Sequence, residues 1–184
     1  MMQKTIFWMV FFLPLMLSAG ELVDRIVAVV GTEIITLSDL KNHHVSGKKD
    51  PLEDLIREKI LFVEMDRLSV SASDDDLAGA MREVLVRNKI PLEQLKEELA
   101  KKGTSFEAYK QGLRQEIRRM KFLGQVIYPR VKISEEEVTR KLGNHPNEED
   151  RSRVRRQLVE SRLSQELENY LDEVRQKTYV EIKK

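Results

Sequence analysis

The chain has 184 residues, 41% hydrophobic, 34% charged and 6% aromatic, with 8 Gly and 5 Pro. That length permits one ordinary core and excludes two large enzyme domains, and the composition excludes a disordered chain. There are 32 basic and 31 acidic residues and Lys4 is the only charge in the first twenty, so residues 21–184 are charge-balanced and lack the positive excess with which a nucleic-acid binder releases counterions.

Residues 1–20 have the order of a secretory signal peptide. Lys4 precedes an apolar run, Thr5 to Leu17, broken only by Pro14, and the small residues Ser18, Ala19 and Gly20 follow. About fifteen residues of helix span roughly 22 Å, short of the ~30 Å hydrocarbon core, so cleavage after Ala19 or Gly20 is expected rather than stable membrane insertion. The chain has no Cys, which removes disulfides, thiolate metal sites, cysteine nucleophiles and a lipid-modified cysteine from consideration.

Leu22 to Val30 is rich in β-branched residues and reads as a strand. Gly31-Thr32 supplies a tight turn, and Glu33-Ile34-Ile35 returns as the second strand of a hairpin. Thr36 and Asp39 have the spacing of a capping box for a helix running to about His44. After the polar break Ser46 to Asp50, Pro51 suits a first helical position. The helix predicted to Arg67 carries Leu52, Leu55, Ile56, Ile60 and Val63 on one face and Leu61, Phe62, Met65 and Leu68 on another, as a central helix would.

Ser73 followed by Asp74, Asp75 and Asp76 reads as an N-cap with acids in the first turn of a helix to about Asn88, striped by Leu77, Met81, Val84 and Leu85. Ile90-Pro91 opens a helix to Lys102 that Gly103 ends. Thr104 with Glu107 predicts a capping box for a long helix closed by Pro129, with Phe106, Tyr109, Leu113, Ile117, Met120 and Ile127 on its apolar face. Ser134 with Glu137 caps a short helix ending near Gly143. A last helix over 149–177 turns Val159, Leu163, Leu167, Tyr170, Leu171 and Val174 inward. Tyr179 to Ile182 is a strand without a local partner, so pairing with the hairpin at the other end of the chain is expected. The fold class is mainly α with a small antiparallel sheet built from both termini.

The opening Leu22-Val23-Asp24-Arg25-Ile26-Val27-Ala28-Val29-Val30, the block Ile34-Ile35-Thr36-Leu37-Ser38-Asp39-Leu40 and the run from Leu55 to Met65 resemble the start of the SurA-like periplasmic chaperones. So do Asp74-Asp75-Asp76-Leu77, the segment Leu95 to Tyr109, Leu113 to Ile117, Val131 to Val138 and the ending Tyr179-Val180-Glu181-Ile182-Lys183. In that family the carboxy-terminal segment packs back onto the amino-terminal domain, and one or two parvulin-type prolyl isomerase domains precede it. Here residues 143–149, Gly-Asn-His-Pro-Asn-Glu-Glu, span that gap, too few for such a domain. The resemblance implies one chaperone domain over 21–184, with an N-terminal part at 21–142, a linker at 143–149 and a C-terminal helix and strand at 150–184. It further implies periplasmic holding of unfolded outer-membrane protein precursors without ATP, with no cofactor and no isomerase activity. The alternative is an adaptor for one folded partner, such as a component of the outer-membrane assembly machinery.

No enzyme-like constellation competes. His43 and His44 diverge by about 100° on a helix and lack ligand-spaced acids, and the Asp74 to Asp76 run lacks the spaced ligands of a calcium loop. Arg114, Arg118, Arg119 and Lys121 read as a solvated face paired with Glu116 and its neighbours, the competing use being to steer an acidic partner or membrane headgroups. Met65, Met81, Leu85, Met120, Phe122 and Val126 exceed what one apolar stripe per helix needs. They are candidates for a client groove, because flexible, polarisable surfaces accept many sequences, and against that stands ordinary core packing.

Overall fold

A computed structural model describes residues 24–43, 50–142 and 147–183. The expected signal peptide, His44, His145 and the first four residues of the expected linker lie outside the described residues.

The hairpin forms as the sequence predicts. β1 (Ile26–Val30) pairs antiparallel with β2 (Glu33–Thr36), and Gly31 in the intervening turn has φ +57°, a left-handed conformation natural to glycine. A Cβ at Gly31 would also lie 3.2 Å from the Val63 side chain. β3 (Val180–Ile182) pairs antiparallel with β1, which gives the strand order β2-β1-β3 and joins the two ends of the described chain in one sheet. Ala28, Val30 and Ile35 are fully buried and form the sheet's contribution to the core.

The helix starts follow their caps. Thr36 and Asp39 make the expected reciprocal box for α1 (Leu37–Asn42), and Asp50 caps α2 (Pro51–Arg67) by accepting from the Leu52 and Glu53 N–H groups. Ser73 and Asp76 box the start of α3 (Asp74–Asn88). After α4 (Leu92–Lys101), Gly103 N–H bonds Ala100 O and Thr104 N–H bonds Leu99 O, the two bonds of a Schellman closure. Thr104 is therefore occupied in ending α4. The cap of α5 (Phe106–Phe122) is Ser105, accepting from Ala108 N–H, not the expected Thr104. Ser134 accepts from Glu137 N–H at 3.2 Å before α6 (Glu135–Leu142), but the Glu137 carboxylate turns to Arg162 on α7 (Glu148–Arg175) at 2.9 Å.

α2 is the central helix. Leu55, Ile56, Ile60, Leu61 and Met65 are buried among the sheet, the end of α5 and α7, where Tyr170 and Leu171 are buried in turn. Burial of this kind contributes about 1.5–3 kcal/mol per large side chain before entropy is counted.

The sequence pattern is overturned at the end of α5. The expected single helix to Pro129 changes at Leu123 into a π-helix (Leu123–Ile127) and then a 3-10 turn (Tyr128–Arg130). A π-turn bonds five residues back, as Tyr128 N–H does to Leu123 O, so Phe122 and Ile127 share the core face and both are fully buried. Met120, two residues and about 200° of helix before Phe122, leaves the apolar stripe and is 62% exposed.

Candidate functional site

The described residues form several concave surfaces. One is a groove of about 420 Å³ between α3 and α5, floored by Ala80, Val84, Leu113, Ile117 and Met120 and bordered by the charged residues Glu83, Arg87, Glu116 and Lys121. It exists because α3 and α4 bury little of their own. Leu77 and Leu95 are their only buried residues, while Val84, Leu113 and Ile117 remain half-buried.

The six candidate groove residues separate in space. Met120 lines the α3–α5 groove. Met65 and Phe122 are fully buried in the core, and Val126 packs against it, so these three present no groove surface in this conformation. Met81 and Leu85 are half-buried on α3 but do not line the groove, whose α3 wall is Ala80 and Val84. Val84, Leu113 and Ile117, which the sequence pattern places on core stripes, line the groove instead. Their signal is the length of α3, α4 and α5 together against the few large residues available to bury them.

The basic cluster of α5 works differently from the sequence expectation. Arg114 bonds the Ala72 carbonyl at 3.2 Å and Asp74 at 2.5 Å. Arg118 bonds the Val70 carbonyl at 2.8 Å and Asp66. Lys121 bonds the Ser71 carbonyl at 3.2 Å and Asp76 at 2.5 Å. These side chains donate to the carbonyls of the α2–α3 connection and clamp α5 to it; Arg118 also donates to Gln115 Oε1 at 3.1 Å, and among the described residues none of the three pairs with Glu116. The Lys121 ammonium, then the Ser73 hydroxyl, hold the Asp76 carboxyl far below its ordinary range.

The second concavity, about 580 Å³, lies where α2, the 3-10 turn, α7 and the approach to β3 meet. At its base Glu64, 2% exposed, accepts from Arg67 Nε at 2.6 Å, from Arg67 Nη2 at 2.8 Å and from the Tyr170 hydroxyl. The Arg67 guanidinium is the main influence lowering the Glu64 pKa, helped by Tyr170 against the upward push of burial, while burial raises that of Tyr170. The Arg130 guanidinium lies 4.4 Å from the Tyr170 ring centroid, a cation–π contact. Among the described residues no group of His, Cys, Asp or Glu is arranged to hold a metal ion, and no helix is long and apolar enough to cross a membrane.

The profile of the SurA N-terminal domain family matches residues 23–122, over half of the chain, from β1 to the last residue of α5. The chain belongs to that family. Proteins named Chaperone SurA are similar to it. That of Ralstonia nicotianae is 34% identical over 115 residues, covering 53% of this chain and 23% of the relative, and that of Pectobacterium atrosepticum is 23% identical over 169 residues, covering 78% and 39%. The matched region is thus well under half of each relative. A solved chain from work on two structurally related SurA-like chaperones of Campylobacter jejuni shares the fold, with TM-score 0.67 at 17% identity over 88% of this chain and 100% of that one. Within this SurA-like core only residues 143–147 separate α6 from α7, where the wider resemblance leads one to expect isomerase domains.

Proposed function

We propose that this protein is exported to the periplasm, where it holds unfolded outer-membrane barrel precursors without ATP. The observation that carries the reading is the α3–α5 groove, where Met120 stands 62% exposed on an apolar floor inside a charged border. A thioether with three rotatable bonds adapts to many side chains, and the surrounding charges keep so apolar a surface dispersed. An unfolded segment loses conformational entropy on binding, so each contact is weak and reversible, as release for assembly requires. Membership of the SurA N-terminal domain family and the chaperone names of the relatives agree with this reading.

The test is light scattering of a urea-diluted barrel precursor, without nucleotide, at several molar ratios of this protein. Suppression near stoichiometric ratios is expected, reduced in the Met120→Glu variant. Unchanged scattering at excess protein would remove the holding function.

A further inference from the structure

The exposed edge of the terminal sheet carries a second inference. Gly31 N–H bonds Tyr179 O and Lys183 N–H bonds Val27 O, each at 2.8 Å. In an antiparallel ladder these bonds set the parity: Tyr179, Glu181 and Lys183 turn their backbone groups toward β1, while Val180 and Ile182 turn theirs away from it. Among the described residues nothing hydrogen-bonds those outward groups. Edge strands are commonly shielded by charge, proline or a covering element. Here the strand's two charges are spent on each other, Lys183 Nζ lying 2.6 Å from Glu181, which also accepts from the Tyr179 hydroxyl at 2.8 Å. Tyr179 and Ile182, 62% and 53% exposed, flank the open edge.

The 580 Å³ cleft opens at the start of this strand, with Tyr179 in its wall. Arg67 is held by Glu64. Arg130 stacks on Tyr170 and approaches Glu173 only at 3.9 Å, and Lys177 makes no ion pair among the described residues. The cleft thus retains positive charge suited to a carboxylate.

We propose that the free edge of β3 takes an extended segment of an unfolded polypeptide as an added antiparallel strand, with an acidic group at that segment's C-terminal end seated against Arg130 and Lys177. Antiparallel addition brings the C-terminal end of the incoming segment to the start of β3, which is the cleft end. Backbone bonds supply affinity for any extended chain, and the carboxylate sets register. The inference rests on the reading that the protein receives unfolded chains, but it uses a surface separate from the α3–α5 groove.

The test is fluorescence anisotropy of a labelled peptide of alternating Val and Thr ending in Glu, compared with the same peptide N-methylated at alternate amides and with Lys replacing Glu. N-methylation is expected to weaken binding about tenfold or more, the loss of roughly one to two backbone bonds. Lys replacement and Lys177→Glu in the protein are each expected to weaken it severalfold, and Val180→Pro should match N-methylation, since that N–H takes no part in the β1 ladder. Met120→Glu should leave the difference in affinity between the parent and N-methylated peptides unchanged. Equal binding of the N-methylated peptide, no binding of the parent peptide, or loss of that difference through Met120→Glu alone overturns the proposal. So does a homodimer that Val180→Pro dissociates, which would assign the edge to a second copy. Precursor scattering, read separately, distinguishes failure of this site from failure of the holding function.

Discussion

The Tyr170 hydroxyl on α7 donates to the Glu64 carboxylate on α2 across 106 positions of sequence, and the Tyr170 ring meets Phe122 at the end of α5 edge-on, with centroids 5.7 Å apart. One side chain thereby joins the three helices of the core, and its polar atom satisfies the one charged residue buried among the described residues.

Tyr170→Phe keeps the ring contact and removes the donor, so a loss of about 1 kcal/mol is expected, while Glu64→Ala, which leaves the buried Tyr170 hydroxyl without its acceptor and Arg67 to solvent, should cost about 1–3 kcal/mol. Urea unfolding followed by circular dichroism checks both. The double variant should lose less than the sum, because the residues share one network.

Alkaline titration gives an independent readout of the same contact. Burial and the Glu64 carboxylate raise the Tyr170 pKa above its ordinary 10.0. Its contribution to stability is therefore full below pH 10 and is lost as pH rises through the higher folded value. Absorbance near 295 nm should show late titration of Tyr170 and of Tyr179, which the Glu181 carboxylate also raises, and Tyr170→Phe should remove the part due to Tyr170.

In acid the sign reverses. Asp76 and Glu64 are lowered from ordinary values of 3.8 and 4.5. Their contributions are present at neutral pH, begin to fall as pH drops below those values and vanish only below the depressed folded pKa values. Asp76→Asn should unfold more readily than the parent at pH 7, and the difference should shrink steadily below about pH 4, where Asp76 of the unfolded chain takes up a proton while that of the folded chain stays ionised. Matched urea titrations across that range measure it.

The methionines separate stability from function. Met65→Ala empties space in a closed core and should cost about 2–5 kcal/mol. Met120→Glu, on an exposed position, should leave the unfolding midpoint within about 0.5 kcal/mol of the parent while weakening suppression of precursor scattering. A parallel loss of stability in both variants would place Met120 in the core instead.

Local chemistry made much of this architecture legible. Caps at Thr36, Asp50 and Ser73, Pro51 at a helix start, Gly31 in a turn and Gly103 after α4 each act within a few residues, so element order and most boundaries follow from sequence. Pairing of β3 with β1 was also inferable, because a strand without a neighbour needs one. The choice of groove residues was not. Periodicity identifies which residues are apolar, but partners distant in sequence decide which of those are covered. The π-turn at Leu123 buries Phe122 and Ile127 together and leaves Met120 outside, and Arg114, Arg118 and Lys121 of α5 reach across to carbonyls of the α2–α3 connection. Glu64 likewise gives no sign in α2 of its burial, since the Tyr170 that satisfies it lies on the last helix. Sequence thus determined the elements, through interactions that span a turn or a cap. Only tertiary packing decided which faces closed and which stayed open.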